Sequence, residues 1–159
     1  MILLLSSGGE AIVRPHRVND VIDARITLTR EVLSAWASLG VLLAGALILL
    51  GTLTPINNIG GNDFLGISST IWHILLFMIL GIPVSLRYAT SRAAARSPLR
   101  VLIMVILAIW IFAGIDELAQ QWVTGRESEL SDWFADMGGA VLGLALGSLI
   151  LRFLLTRAR

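Results

Sequence analysis

The chain has 159 residues, of which 56% are hydrophobic and only 14% are charged. This composition is typical of an integral membrane protein, and the chain is too short for a second folded domain. The net charge of +1 gives no reason to expect a nucleic-acid partner. The absence of cysteine excludes disulfides and thiol chemistry.

Residues 1–30 are interpreted as a cytoplasmic N-terminal arm, because residues 10–30 are polar. No basic residue precedes the short apolar run at 2–5, so a signal peptide is not predicted. A weakly amphipathic helix capped by Asn19 or Asp20 would lie on the membrane surface or on a partner, and a loosely ordered tail is the alternative. The remaining residues, 31–159, form the predicted transmembrane domain.

Four apolar segments follow the arm, each bounded by charged residues or by turn residues. They predict an all-α integral membrane protein with four transmembrane helices. Four helices without an inverted repeat do not favour a transporter. The predicted spans cover residues 32–53, 65–86, 98–123 and 131–155.

The distribution of arginine predicts the orientation of the four helices. Eleven of the twelve arginines lie in the arm, between the second and third spans, or near the C-terminus, and Arg126 is the exception. Both termini are therefore expected in the cytoplasm, with the acid-rich loops outside. Trp72, Trp122 and Trp133 all fall near the predicted outer boundary, as in an aromatic belt.

Several acidic residues lie where the last two spans should be apolar. Only 15 uncharged residues separate Arg100 from Asp116, and again 15 separate Asp136 from Arg152. Each run covers about 22 Å, which is less than the hydrocarbon thickness of about 30 Å. Because acidic side chains are too short to reach the surface, we expect Asp116, Glu117 and Asp136 to lie at depth, facing the protein interior.

Helical spacing places these acids on defined faces. Glu117 shares a face with Gln120, and Asp132 and Asp136 lie on one stripe of the last helix. The same stripe continues through three glycines, which would allow another helix to approach closely and would turn Asp136 inward. These glycines, which we expect to act only in helix packing, are Gly139, Gly143 and Gly147.

His73 and Arg126 complete a predicted polar site near the outer surface. With Glu117, His73 would form a proton-shuttling pair of catalytic residues, whereas the simpler interpretation is a hydrogen-bonding histidine. Arg126 can bind a phosphate or carboxylate, or can lock the helices by pairing with Glu117, Asp132 or Asp136. No cofactor and no metal are predicted, because the spacing matches no metal motif and little supports tetrapyrrole ligation by His73.

The ordered string Glu117, Gln120, Arg126, Asp132, Asp136 and Gly139 resembles the VanZ-like membrane proteins. His73 at the start of an apolar helix, followed by Phe77 and Gly81, extends the resemblance to residues 40–155. Two departures are present. The family usually has Asp-Lys where this chain has Ser69 and Thr70, and Asn is common at the place of Asp136.

The resemblance implies an envelope membrane protein with a shared polar site, in a family associated with resistance to the glycopeptide teicoplanin. Two hypotheses follow. In the first, an outward pocket of Gln120, Arg126, Asp132 and Asp136, with His73 and Glu117, binds a lipid or lipid-linked headgroup. In the second, the chain is a non-catalytic subunit of a larger membrane complex, contacting partners through its arm and its lipid-facing helices. Membrane lipids and other membrane subunits are the expected partners.

Overall fold

The computed structural model describes residues 15–54, 68–126 and 128–157, and every regular element within them is an α-helix. Four helices are long and apolar enough to span a membrane. The prediction of an all-α membrane protein with four transmembrane helices is therefore confirmed. The helices are α1 (Pro15–Thr52), α2 (Ser69–Thr90), α3 (Arg92–Arg96), α4 (Pro98–Gln120) and α5 (Leu130–Arg157).

Helix α1 is longer than the first predicted span. It begins at Pro15, a residue that is favoured in the first turn, and no glycine or proline interrupts it before Gly40. Its apolar part starts at Thr27. The end of the predicted arm is therefore continuous with the first transmembrane helix. Arg30 Nε donates a hydrogen bond of 2.8 Å to the Thr90 carbonyl, which attaches this part of α1 to the end of α2.

The other spans shift by a few residues from their predicted limits. Helix α2 continues to Thr90, and residues 65–67 of the predicted second span lie outside the described residues. Helix α3 was not predicted. It forms because the Ser91 hydroxyl accepts a hydrogen bond of 3.3 Å from the Ala94 N–H and so caps its first turn.

A tight turn joins α4 to α5. Gly125 has φ = 80°, a left-handed conformation that glycine adopts without a steric penalty. The Arg126 N–H donates 3.1 Å to the Val123 carbonyl within the same turn. The turn thus reverses the direction of the chain. It fixes the position of Arg126 after the end of α4 and beside the end of α1.

Helix α2 lies at the centre of the bundle and packs most extensively against α5, then against α1. Phe77 of α2 is fully buried, with Ile48 of α1 and Ala113 of α4 in the same apolar core. Helix α4 contacts its neighbours least, since only 11% of its apolar window is buried. Most side chains of α4 therefore face outward, where lipid is expected.

The contact between α2 and α5 brings their backbones together. A Cβ atom added to Gly143 would lie 2.9 Å from the Gly81 Cα, and one added to Gly139 would lie 2.9 Å from the Ile74 Cα. Gly147 would meet the Ser85 hydroxyl in the same way. The glycine stripe thus lies against α2, and α2 contributes a glycine of its own to the closest point.

Replacing Gly143 with Ala should push α2 and α5 apart. We expect Gly143→Ala to lower the free energy of unfolding by about 1–3 kcal/mol, because the new methyl group meets backbone that cannot move aside. Gly138→Ala is the matched control, since a Cβ there meets nothing within 4 Å. Thermal unfolding of both variants in detergent checks this. Equal loss in the two variants would contradict the proposed contact.

The predicted orientation can be tested with single cysteines, because the chain has none of its own. Thr124 in the α4–α5 turn and Ala95 in α3 are both exposed. We expect a membrane-impermeant maleimide to label Thr124→Cys in intact spheroplasts and to label Ala95→Cys only after permeabilisation. The reverse pattern would place the termini outside the cytoplasm.

Candidate functional site

Polar side chains from four helices are buried together where α1 and α4 end and α2 and α5 begin. Their exposed fractions range from 0% for Asp116 and Asp136 to 5% for Glu117 and Asp132. Acidic groups this deeply buried within apolar spans are costly unless they are paired, bound to a ligand or protonated. We call the following residues the polar cluster: Thr52, His73, Asp116, Glu117, Gln120, Asp132 and Asp136.

His73 links α2 to both acids on the inner face of α5. Its Nδ1 lies 2.8 Å from Asp136 Oδ1, within hydrogen-bond distance, and its Nε2 lies 3.7 Å from Asp132 Oδ2. The two acids occupy successive turns of one helix face, which is why one imidazole ring reaches both. The close packing at Gly139, one turn further along α5, holds the ring against Asp136.

Asp132 accepts hydrogen bonds from the start of α2. Thr70 Oγ1 donates 2.8 Å to Oδ1, and Ser69 Oγ donates 3.2 Å to Oδ2. Ser69 and Thr70 are the two residues that depart from the Asp-Lys of the resembling family. In this chain they act as hydroxyl donors to an acid of α5, a role that the sequence analysis did not assign to them.

Asp116 belongs to the polar cluster, although it was expected only to lie at depth and was not among the predicted site residues. The Thr52 hydroxyl lies 2.7 Å from Asp116 Oδ1 and donates to it, and the same hydroxyl lies 2.8 Å from the Ile48 carbonyl. This contact joins α1 to α4. The available signal was a threonine at the end of the first apolar span, at the same end of the bundle as Asp116.

Glu117 and Gln120 lie on one face of α4, as their spacing indicated. Gln120 Nε2 donates 3.1 Å to Glu117 Oε2, and the backbone N–H of Glu129 donates to Oε1. Glu117 also approaches the histidine pair. His73, Glu117 and Asp136 each offer one nitrogen or carboxylate oxygen such that the three atoms lie within 4.8 Å of one another. The structure therefore brings the two candidate catalytic residues together.

Arg126 does not pair with the acids as the sequence suggested. It forms no ion pair with any of the described carboxylates; instead Nη2 donates 2.7 Å to the Gly51 carbonyl and Nε donates 3.3 Å to the Thr54 carbonyl. The carbonyls at the end of α1 lack helical N–H partners, so they attract the guanidinium. Arg126 thus caps the carbonyls at and just beyond the end of α1, and it lies at the margin of the polar cluster.

The half-buried guanidinium of Arg126 nevertheless interacts electrostatically with the acids. Burial lowers the pKa of Arg126, and the negative charges of Asp116, Glu117 and Asp132 act in the opposite direction. Arginine is too basic to lose its proton in proteins. Arg126 therefore remains a cation close to these three buried acidic residues.

Comparison with known proteins identifies one family. The VanZ/LLP1 family model matches residues 27–152, which is most of the chain and includes the last residues of the predicted arm. No curated protein and no solved structure matches the chain. The resemblance derived from the polar string is therefore confirmed.

The Thr52–Asp116 contact can be tested by removing only the hydroxyl. We expect Thr52→Val to lower the free energy of unfolding by about 1–3 kcal/mol, because Asp116 would stay buried without its hydrogen-bond donor. Thr52→Ser keeps the hydroxyl and loses one methyl group, so it should cost about 0.8 kcal/mol or less. Thermal unfolding in detergent measures both, and similar losses would show that the hydrogen bond contributes nothing.

Proposed function

Because the chain belongs to the VanZ/LLP1 family, we propose that its polar cluster binds the polar headgroup of an envelope lipid or lipid-linked precursor. In this proposal the protein lies in the bacterial inner membrane with both termini in the cytoplasm. The polar cluster then faces outward, just below the external surface. The observation that carries the proposal is the burial of four acids and one histidine at a single end of an otherwise apolar bundle.

Packing alone does not require these groups. Apolar side chains of similar volume would join the helices without the cost of removing carboxylates from water. Ionisable residues inside membrane spans most often serve a ligand, an ion or a proton. The concentration of such residues at one end, rather than along the bundle, supports a single ligand site at that end.

Arg126 supports a headgroup that carries phosphate. Its planar guanidinium matches phosphate geometry, and it is the only cation that the sequence places on this side of the membrane. Its position at the margin of the polar cluster, held by the end of α1, would let one side of the guanidinium face an approaching headgroup while the other binds the carbonyls.

His73 and Glu117 are the residues that we assign to proton transfer, if the headgroup is altered chemically. Imidazole commonly serves as a general acid or base in proteins, and Asp136 holds one ring nitrogen of His73 in place at 2.8 Å. The Glu117 carboxylate lies close enough to exchange a proton with a group bound between them. Gln120 and Glu129 fix the orientation of that carboxylate.

A structural role is the second candidate, and the hydrogen bonds themselves favour it. Thr52–Asp116 joins α1 to α4, whereas His73–Asp136 and Thr70–Asp132 join α2 to α5. A subunit of a larger membrane complex would use such contacts to stay rigid. Its outward α4 surface and its N-terminal arm would then meet the partners.

Replacing Arg126 with Gln separates the two functions. The full chain is purified in mild detergent, and co-purified lipid phosphate is quantified by mass spectrometry. We expect about a tenfold or larger loss in Arg126→Gln, because charged hydrogen bonds to phosphate contribute about 1.5–3 kcal/mol. Arg152→Gln is the control, since Arg152 is exposed near the other end of α5.

Thermal unfolding of both variants shows whether Arg126→Gln remains folded. A folded variant that retains the same lipid phosphate as the wild-type chain would refute headgroup binding through Arg126. Another membrane subunit that co-purifies in fixed ratio, without any bound lipid phosphate, would instead support the structural role.

A further inference from the structure

Three ligand-type side chains from three different helices meet inside the polar cluster. His73 of α2, Glu117 of α4 and Asp136 of α5 each present one donor atom, and these atoms lie within 4.8 Å of one another. All three residues are buried, with exposed fractions of 2%, 5% and 0%. Such a spacing allows one metal ion to be bound by all three after small side-chain movements.

Some nitrogen and oxygen atoms of the polar cluster that could bind a metal ion have no hydrogen-bond partner. Among the described residues, His73 Nε2 and Asp136 Oδ2 are buried without a hydrogen-bond partner, as is Asp116 Oδ2. The imidazole therefore has one satisfied nitrogen and one buried nitrogen that faces the acids, 3.7 Å from Asp132 Oδ2. Buried polar atoms without partners are rare in folded proteins, and a bound ion or water is one explanation for them.

The charge balance points in the same direction. Four acids, Asp116, Glu117, Asp132 and Asp136, are buried close to two basic side chains, those of His73 and Arg126. Arg126 donates two of its N–H groups to backbone carbonyls and forms no ion pair with the described acids. Buried negative charge that is neither paired nor protonated is stabilised by a metal ion.

We propose that His73, Glu117 and Asp136 bind one divalent transition-metal ion of the Zn²⁺ or Mn²⁺ class. In the chain with the ion bound, His73 and Glu117 are metal ligands and no longer transfer protons. Imidazole nitrogen with carboxylate oxygen suits these ions better than Mg²⁺ or Ca²⁺, which prefer oxygen ligands alone. Three protein ligands leave at least one coordination position for water or a ligand oxygen. Asp132 Oδ2 lies 3.7 Å from His73 Nε2, so this carboxylate, held by its two hydroxyl donors, lies next to the proposed metal site.

The spacing of the three ligands along the chain matches no metal motif, so the sequence alone predicted no metal site. Glu117 lies 44 residues after His73, and Asp136 a further 19 residues along the chain. No local motif records this combination. Only the packing of α2 against α5, together with the end of α4, brings the three donors within range of one ion.

The ion gives the acid-rich site a way to hold phosphate, a role that rests on the proposed function. Ionised carboxylates in the polar cluster repel an anionic headgroup, whereas the guanidinium of Arg126 attracts it. A divalent cation among the acids would bind a phosphate oxygen directly. The binding of the ion itself is measured without lipid, so the two proposals can fail separately.

The test uses the full chain, purified in detergent without a polyhistidine tag and stripped of metal by a chelator. Equilibrium dialysis against Zn²⁺ or Mn²⁺, followed by elemental mass spectrometry, should show about one bound ion per chain. Loss of groups that only orient metal ligands weakens binding about 10–100-fold. We therefore expect Glu117→Gln and Asp136→Asn each to weaken it at least tenfold.

Glu31→Gln is the control, because it removes one negative charge at an exposed position away from the polar cluster. It should bind the ion as the wild-type chain does. No saturable binding to the wild-type chain, or equal weakening in Glu31→Gln, overturns the metal site.

The wild-type chain provides a second measurement if a variant fails to fold. Bound ion should raise its unfolding temperature in proportion to the logarithm of the free metal concentration, and no change would count against the site. If the wild-type chain retains lipid phosphate through Arg126 but shows no saturable metal binding, the metal site alone is refuted. Metal binding in a chain that retains no lipid phosphate would refute headgroup binding alone.

Discussion

The contact between the backbones of α2 and α5 determines the rest of the structure. Because Gly81 meets Gly143 and the backbone of Ile74 meets Gly139, the two helices approach more closely than side chains would otherwise permit. This approach brings His73 to 2.8 Å from Asp136 and places Thr70 within reach of Asp132. The polar chemistry at the end of the bundle is thus a consequence of the small residues along its middle.

The described acids of the polar cluster have donors of very different kinds. Asp116 and Asp132 accept from hydroxyls on other helices, Asp136 lies against an imidazole, and Glu117 accepts from an amide side chain and a backbone N–H. None of them forms an ion pair with Arg126. Because no guanidinium pairs with these acids, a bound ligand can interact with their negative charge or exchange protons with them.

Local patterns were sufficient for the spans and for contacts within one helix. Hydropathy placed α4 and α5 within a few residues, and the i to i+3 spacing of Glu117 and Gln120 corresponds to a hydrogen bond. Contacts between helices were harder to predict. The sequence places both Thr52 and Thr54 at the same end of the bundle as Asp116, but it does not show which of them is the partner. Opposite charge suggested an ion pair for Arg126, but the open carbonyls of α1 compete for its donors.

The length of α1 has a mechanical consequence. Twelve residues precede the apolar span that begins at Thr27, and at about 1.5 Å per residue they form a rod of about 18 Å. Just after this segment, Arg30 donates a hydrogen bond to the Thr90 carbonyl, and Glu31 forms an ion pair with Arg92. Whatever meets residue 15 is therefore coupled to the tilt of the first helix, whose far end supplies both Thr52 and the carbonyls that position Arg126.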